Sequence, residues 1–519
     1  MSGSPGADAS RRRPAATNRG DGRPKPPADP ARRVALDLLL AVDERDAYAN
    51  LLLPGLIARQ GLSGRDAALA TELSYGTLRG QGTYDALLAV CSDRALGSLD
   101  PVVRAVLRLG THQLLATRIQ PHAAVATSVN LVKEAAGQRP AGFVNAVLRR
   151  VASRDLDGWL AIAAPAADAD PAGHLAVRFS HPRWMVEAFA EALGEAPGAA
   201  SGLPVAGGDA TPAAVRLAAE SAGQQLSRTR ALLAANGERP VVHLCAVPGL
   251  AEQRELVEAG ATPARWSGYG AYLADGDPKA VAALAEGRAG VQDEASQLAA
   301  IALTRVGIDG SDNRWLDLCA GPGGKARLLA GLAAGAGSRL VAAEVREHRA
   351  GLVRSALRET PGGRGPAAVV VADGTRPAWR PAGFDRVLAD VPCTGLGALR
   401  RRPEARWRRT PADITALTGL QRALLGSALD SVRPGGVVAY VTCSPHLAET
   451  RDVLADVLSG RPDVAVLDAP AVLPEVPDLG VRYQPGPDGQ PGASGRYAQF
   501  WPHVHGTDAI FLALLRRTR

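Results

Sequence analysis

Asp317-Leu318-Cys319-Ala320-Gly321-Pro322-Gly323-Gly324-Lys325 decides the fold of the larger part of this chain. An apolar strand runs into a glycine turn, and the turn opens a helix. Glycines let the backbone approach a ligand closely and adopt positive φ. Such a turn also presents helix N-terminal amides to a carboxylate or phosphate. The segment is not a phosphate loop of the Walker kind: Ala326 follows Lys325, and Cys319 stands where the first glycine is needed. Nor is it a full dinucleotide fingerprint.

Outward from this turn, strands and helices alternate regularly from Val291 onward. Strands are predicted at 315–320, 339–344, 367–373, 385–391, 436–442 and 509–516, with helices between them. This βαβ pattern implies a parallel, Rossmann-like α/β sheet over 289–519. Glu344 ends the second strand, where a carboxylate can take both ribose hydroxyls of a nucleoside cofactor. Asp373 ends the third, placed to accept from an adenine amino group, and Asp390 ends the fourth. The first four strands thus each end in a glycine turn or an acid.

Two cysteines share that edge. Cys393 lies in Asp390-Val391-Pro392-Cys393-Thr394-Gly395 and Cys443 in Val441-Thr442-Cys443-Ser444-Pro445, each after an apolar strand. In an open α/β sheet the carboxyl ends of the strands collect ligands and chemistry. Carbon 5 of cytosine is a poor nucleophile. A thiolate adding to carbon 6 makes an enamine whose carbon 5 can take a methyl group, after which the thiol is eliminated. Nucleoside cofactor and paired thiols therefore point to methyl transfer onto a pyrimidine carbon.

The remaining chain reads as further domains. Residues 1–30 form a polar tail with an Arg11-Arg12-Arg13 run, predicted to be disordered. Residues 31–155 show a helical period without strand signals (Leu36, Leu39 and Leu40; Val103, Val106 and Leu107; Val125, Val129 and Val132), predicting five to seven helices. The Ala-, Pro- and Asp-rich stretch 156–175 reads as a linker. Weak strands at Ala214–Leu217, Val241–Leu244 and Gly270–Leu273 suggest a small α+β domain over 176–288. The Pro/Gly-rich stretch 470–495 reads as a loop inserted before the final strand.

The net charge of +7 favours a polyanionic partner. Five widely spaced cysteines without a CxxC pair argue against a disulfide scaffold or zinc site and fit a reducing cytoplasm. No apolar run approaches the ~18 residues of a membrane span, and no signal peptide is predicted. His503 and His505 lack a further ligand at metal spacing. A cytoplasmic monomer binding neither membrane nor metal is expected.

The motifs Asp317–Lys325, Asp390–Gly395 and Thr442-Cys443-Ser444 resemble those of bacterial RNA cytosine-5 methyltransferases that use two cysteines. Val291–Ser296, Arg401–Trp407 and Gln499–Asp508 extend the resemblance. Leu73–Arg79, Pro121–Val125 and Gly142–Arg149 look like the NusB-like domain fused to the 16S ribosomal RNA enzymes of the RsmB/Sun type. The resemblance implies Cys443 as nucleophile, Cys393 as the product-release residue, and Asp390 beside the target base. It assigns S-adenosylmethionine to Cys319, Ala320, Gly321, Pro322, Gly323, Gly324, Lys325, Glu344, Asp373 and Asp390. Six arginines lie between Arg400 and Arg409. Arg401, Arg402 and Arg406 are expected on RNA phosphates and Trp407 on a flipped base. The same chemistry on tRNA, or a non-catalytic RNA-binding assembly factor, are the competing readings.

Overall fold

Capping and apolar stripes set the N-terminal helices. In this computed structural model, which describes residues 29–195, 226–358, 367–480 and 493–519, the Asp29 carboxylate accepts from the amides of Ala31 and Arg32, and Pro30 starts the helix. Six helices follow: α1 (Pro30–Arg45), α2 (Ala49–Arg59), α3 (Gly64–Cys91), α4 (Pro101–Ala116), α5 (Pro121–Ala136) and α6 (Ala141–Val151). Their shared core includes Leu36, Leu73, Leu87, Val106, Leu131 and Leu148, all buried. The Arg11–Arg13 run and Ala214–Leu217 lie outside the described residues.

The predicted linker at 156–175 is instead mostly helical: α7 (Leu156–Ala163) and α8 (Pro171–Arg178) fill it. Asp155 and Asp170 cap them by accepting from Gly158 and Gly173. The Trp159 indole, buried, donates to the Val151 carbonyl at 2.8 Å and ties α7 to the bundle. Alanine, read as linker composition, is the strongest helix former, and a proline at the first helical position costs nothing. Helix α9 (Arg183–Ala192) follows.

A small antiparallel sheet comes next, in the order β2-β3-β1-β4, with β1 Val242–Ala246, β2 Thr262–Pro263, β3 Gly270–Leu273 and β4 Ala289–Val291. Strand β4 pairs with β1, Leu244 opposite Val291. A boundary at 288/289 would cut β4 from the sheet it completes. The buried Glu294 carboxylate, just beyond β4, accepts from the amides of Trp266 and Ser267 and from the Tyr272 hydroxyl.

The C-terminal part holds an eight-stranded mixed sheet. Its strands are β5 (Arg314–Asp317), β6 (Arg339–Glu344), β7 (Ala367–Val371), β8 (Phe384–Asp390), β9 (Val432–Thr442), β10 (Val464–Leu467), β11 (Ala498–Gln499) and β12 (Phe511–Arg517). The order is β10-β12-β9-β8-β5-β6-β7, with β11 on β12. Strands β5 to β9 run parallel and β12 antiparallel to β9. The predicted strands all exist with ends shifted by a few residues; Asp373 lies just past β7. Short β10 and β11 carried no sequence signal.

Strand order reverses between β5 and β8, so the crevice at their carboxyl ends is the topological switch point where ligands bind in such sheets. The described part of the 470–495 stretch is not an open loop. Leu473, Val476 and Leu479 are buried in the core, and Gly480 bridges to Ala498. No described helix is long and apolar enough to cross a membrane.

Candidate active site

Asp317, Glu344 and Asp390 end β5, β6 and β8 on one edge of the sheet, and Thr442 ends β9 beside them. The turn after β5 makes two demands that glycine meets. Gly323 has φ of 114°, and a side chain on Gly321 would come within 2.0 Å of the Glu344 carboxylate. Arg349 donates to the Gly321 carbonyl at 2.6 Å and holds the turn over Glu344.

The sheet brings Cys393 and Cys443 together, Sγ to Sγ 3.2 Å, both free and partly exposed. That separation lets one thiol donate to the other sulfur. The bond from Cys393 favours the Cys443 thiolate and pulls its pKa down, against burial and the Asp390 charge; the Lys325 ammonium assists. The same bond, with burial, pushes the Cys393 thiol well up. The Lys325 ammonium is thus one of the groups that favour a thiolate at Cys443.

Lys325 donates to Asp390 at 2.9 Å. Burial disfavours its ammonium, yet Asp390 outweighs burial and the pKa is raised. Asp317 lies buried beneath the turn. Its Oδ1 accepts from the Cys319 amide, while Oδ2 has no partner. Burial, then the charges of Asp390 and Glu344, raise its pKa to about 7. Burial likewise keeps the Cys319 thiol protonated. Asp373 is exposed, and one of its oxygens accepts from the Thr375 amide and hydroxyl, which lower its pKa.

A buried carboxylate that sequence reasoning missed fixes the two cysteine loops. Glu449 accepts from the Thr394 amide at 2.7 Å, from the Thr394 hydroxyl and from Gln421. Thr394 lies 3.2 Å from Ser444, and Gly397 donates to the Cys443 carbonyl at 2.9 Å. Thr394 and Ser444 stood inside the quoted motifs; nothing local marks Glu449, whose weight comes from burial alone.

The arginine stretch departs from its expected role. Arg406 is fully buried, and its guanidinium donates to the carbonyls of Arg79, Ser180 and Asn236 at 2.9, 3.1 and 2.6 Å. Burial and the Arg79 charge lower its pKa to about 9, still charged at neutral pH. It cannot reach an RNA phosphate: it joins α3, the segment before α9 and the helix Ser227–Gly237 to the catalytic sheet. Arg408 does the same, donating to Val42 and Ala47. Arg401 pairs with Asp508, whose charge raises its pKa. Trp407 lies against Gly82 of α3, partly exposed. Arg402 is exposed, over the Tyr48 ring. His505 is committed to main chain, accepting from Trp501 N–H and facing the Pro477 carbonyl.

The residues expected to hold the cofactor fit a cationic nucleoside. Asp317, Glu344 and Asp390 lie close enough that Asp390 and Glu344 shift Asp317. An orphaned buried oxygen beneath the glycine turn adds unspent acceptor capacity. A sulfonium with its ammonium matches this excess of carboxylate.

Residues 309–516 match the family model for 16S rRNA methyltransferase RsmB/F, and residues 29–153 match the NusB family. A Mycobacterium tuberculosis protein named as a putative methyltransferase is 47% identical over 96% of this chain and 99% of its own length. Ribosomal RNA small subunit methyltransferase B of Pseudomonas putida is 31% identical over 84% of this chain and 91% of its own. The crystal structure of PH0851 superposes with a TM-score of 0.68 at 21% identity, covering 95% of this chain and 99% of that one; at that identity the likeness concerns the fold.

Proposed function

The chain belongs to the RsmB/F family of 16S rRNA methyltransferases and is an S-adenosylmethionine-dependent RNA methyltransferase; from that premise we propose that it methylates carbon 5 of a cytosine in 16S ribosomal RNA. The observation that carries this reading is the pair of sulfurs 3.2 Å apart at the switch-point crevice, beside the Lys325–Asp390 ion pair.

The target cytosine leaves its stack to reach the crevice. The Cys443 thiolate adds to carbon 6; the ring electrons move toward carbon 5, and the Lys325–Asp390 pair supplies the proton that the ring nitrogen gains. S-adenosylmethionine, held by Cys319 to Lys325, Glu344, Asp373 and Asp390, supplies an electrophilic methyl group. With Cys443 bonded to the ring, Cys393 loses its sulfur acceptor and gives its proton to solvent. As a thiolate it takes the proton from carbon 5. That electron pair restores the ring double bond, the carbon–sulfur bond breaks, Cys443 leaves as thiolate, and the ring nitrogen returns its proton to the Lys325–Asp390 pair. One chain supplies both sulfurs and no metal enters the scheme, so a monomer suffices. Residues 29–153 add RNA-binding surface.

The test is transfer of labelled methyl from S-adenosylmethionine to unmodified 16S rRNA, with RNA resolved on a denaturing gel. Cys443→Ala is expected to lose at least about a thousandfold in rate, and Cys393→Ala to accumulate RNA bound covalently to protein. Activity in Cys443→Ala with no adduct in Cys393→Ala reverses the two roles. Label appearing on tRNA but not on 16S rRNA moves the substrate; no transfer to any RNA removes the catalytic reading.

A further inference from the structure

A cavity of about 350 Å³ opens where three parts of the molecule meet. Helix α3 contributes Tyr75 and Arg79, the approach to β1 contributes Arg239 and Val241, β4 contributes Val291, and the arginine stretch contributes Arg402. Its wall is unusual in two respects. Val241 and Val291 are 45% and 56% exposed, a pair of aliphatic side chains left facing solvent. The cations around them are also unspent. Among the described residues the Arg79 guanidinium makes no hydrogen bond or ion pair, its Nε is buried without a partner, and the group lies 5.4 Å over the Tyr75 ring; the Glu72 carboxylate lines the same cavity and its charge acts on Arg79. Arg239 is exposed and its side chain donates to none of the described residues.

The buried Arg406 explains why the cavity persists. Two of the carbonyls it holds belong to Arg79 and Asn236, so it fixes the backbone on both sides of the opening. Two residues of its wall also hold Asp508. Arg401 and Asp293 line it, and both bind Asp508: Arg401 through its side chain, Asp293 by accepting from the Asp508 amide at 3.0 Å. The Asp508 charge acts in turn on Cys443.

We propose that this cavity receives a second unpaired nucleotide of the RNA substrate, a neighbour of the target cytosine. Its base enters between the Tyr75–Arg79 platform and the two valines; its phosphates meet Arg239 and Arg402. A planar base with an anionic backbone is the ligand that asks for an aromatic–guanidinium face, aliphatic walls and unpaired arginines together. A protein side chain would need the apolar wall alone, and a free anion the cations alone. The inference rests on RNA being the substrate and adds a second point of recognition to it.

Two variants test it without touching the catalytic residues. Arg239→Glu reverses a rim charge on an exposed side chain. Val291→Trp fills the opening from a side chain that already faces outward. For each, KM and kcat are measured with unmodified 16S rRNA, and Kd with a short single-stranded cytosine-containing RNA oligonucleotide across a salt series. Both should raise KM and Kd about tenfold, leaving kcat and S-adenosylhomocysteine affinity unchanged. Arg239→Glu should also flatten the salt dependence. Oligonucleotide affinity equal to wild type in both variants overturns the pocket. Loss in Arg239→Glu alone reduces the feature to surface charge and overturns it as well. If wild type does not methylate 16S rRNA, the substrate assignment falls, and the oligonucleotide Kd still decides the pocket.

Discussion

The thiol edge and the arginine belt meet in one short segment, Pro392 to Arg409, and they are built in opposite ways. At the edge, polar groups keep spare capacity: Asp317 Oδ2 has no partner and both sulfurs are partly exposed. In the belt the terminal guanidinium nitrogens are mostly spent on main chain, with Nε of Arg400 and Arg406 left buried and unpaired among the described residues. Arg406 spends its terminal nitrogens on three carbonyls, Arg408 on two, and Arg400 on Gly506. The contrast separates residues that can act on a ligand from residues that only hold the molecule together. Charge and position in the chain do not make that separation; the accounting of hydrogen bonds does.

Arg406 gives the largest effect on the structural side. Arg406→Ala leaves the Ser180 and Asn236 carbonyls without donors, each costing about 1–3 kcal/mol, takes a second donor from the Arg79 carbonyl inside α3, and leaves a cavity besides. A loss of more than about 3 kcal/mol is expected, read as a fall in the earliest urea-unfolding midpoint of the full chain. Arg406→Lys should recover little of it, because one ammonium cannot reproduce a fork spanning three acceptors. Cys443→Ala should show the reverse profile, with methyl transfer lost and the unfolding midpoint nearly unmoved. An Arg406→Ala protein as stable as wild type but weak on RNA would break the comparison.

Asp317 sharpens the other side. With its pKa at about 7, the folded chain keeps a proton between roughly pH 4 and 7 that an unfolded aspartate has already lost. The folded state binds more protons in that window, so this group's contribution to stability declines as pH rises through it and is flat above. Asp317→Asn keeps the acceptor for the Cys319 amide and cannot ionise. Its stability should match wild type near pH 4 and exceed it at pH 8 by on the order of 4 kcal/mol. Unfolding midpoints at the two pH values check this; an equal gap at both would show that the spare oxygen carries no charge penalty. Cofactor affinity of the variant should fall, since the carboxylate excess is reduced.

How much of this was legible in the sequence follows the same division. The glycine turn, the strand-end acids and both thiol motifs are local features, and their strands form one sheet that carries them at its carboxyl edge, as expected. Arg406 was read as an RNA contact because its position beside the thiols and its neighbours are local, whereas the Arg79, Ser180 and Asn236 carbonyls come from distant segments. Glu449 escaped for the same reason, since its partners Thr394 and Gln421 lie far off in the chain. Helices α7 and α8 were lost to composition: their alanines and prolines look like a linker until Trp159 and the capping aspartates are placed.

Arg402 is the belt's exception and so its finest test. It is exposed, lies 5.6 Å over the Tyr48 ring and donates no side-chain hydrogen bond. By the accounting that makes Arg406 structural, Arg402 belongs with the ligand-facing groups. Its stacking on an exposed tyrosine is worth about 0.5–1 kcal/mol at most, so Arg402→Ala should shift the unfolding midpoint very little. One exposed phosphate contact is modest too: KM for RNA should rise about two- to threefold, and the slope of log affinity against log salt should fall by about 0.7. Stability lost with RNA affinity unchanged would mean that spent donors do not distinguish the belt from the edge. An RNA effect without a stability effect, from the residue four positions before Arg406, would show that they do.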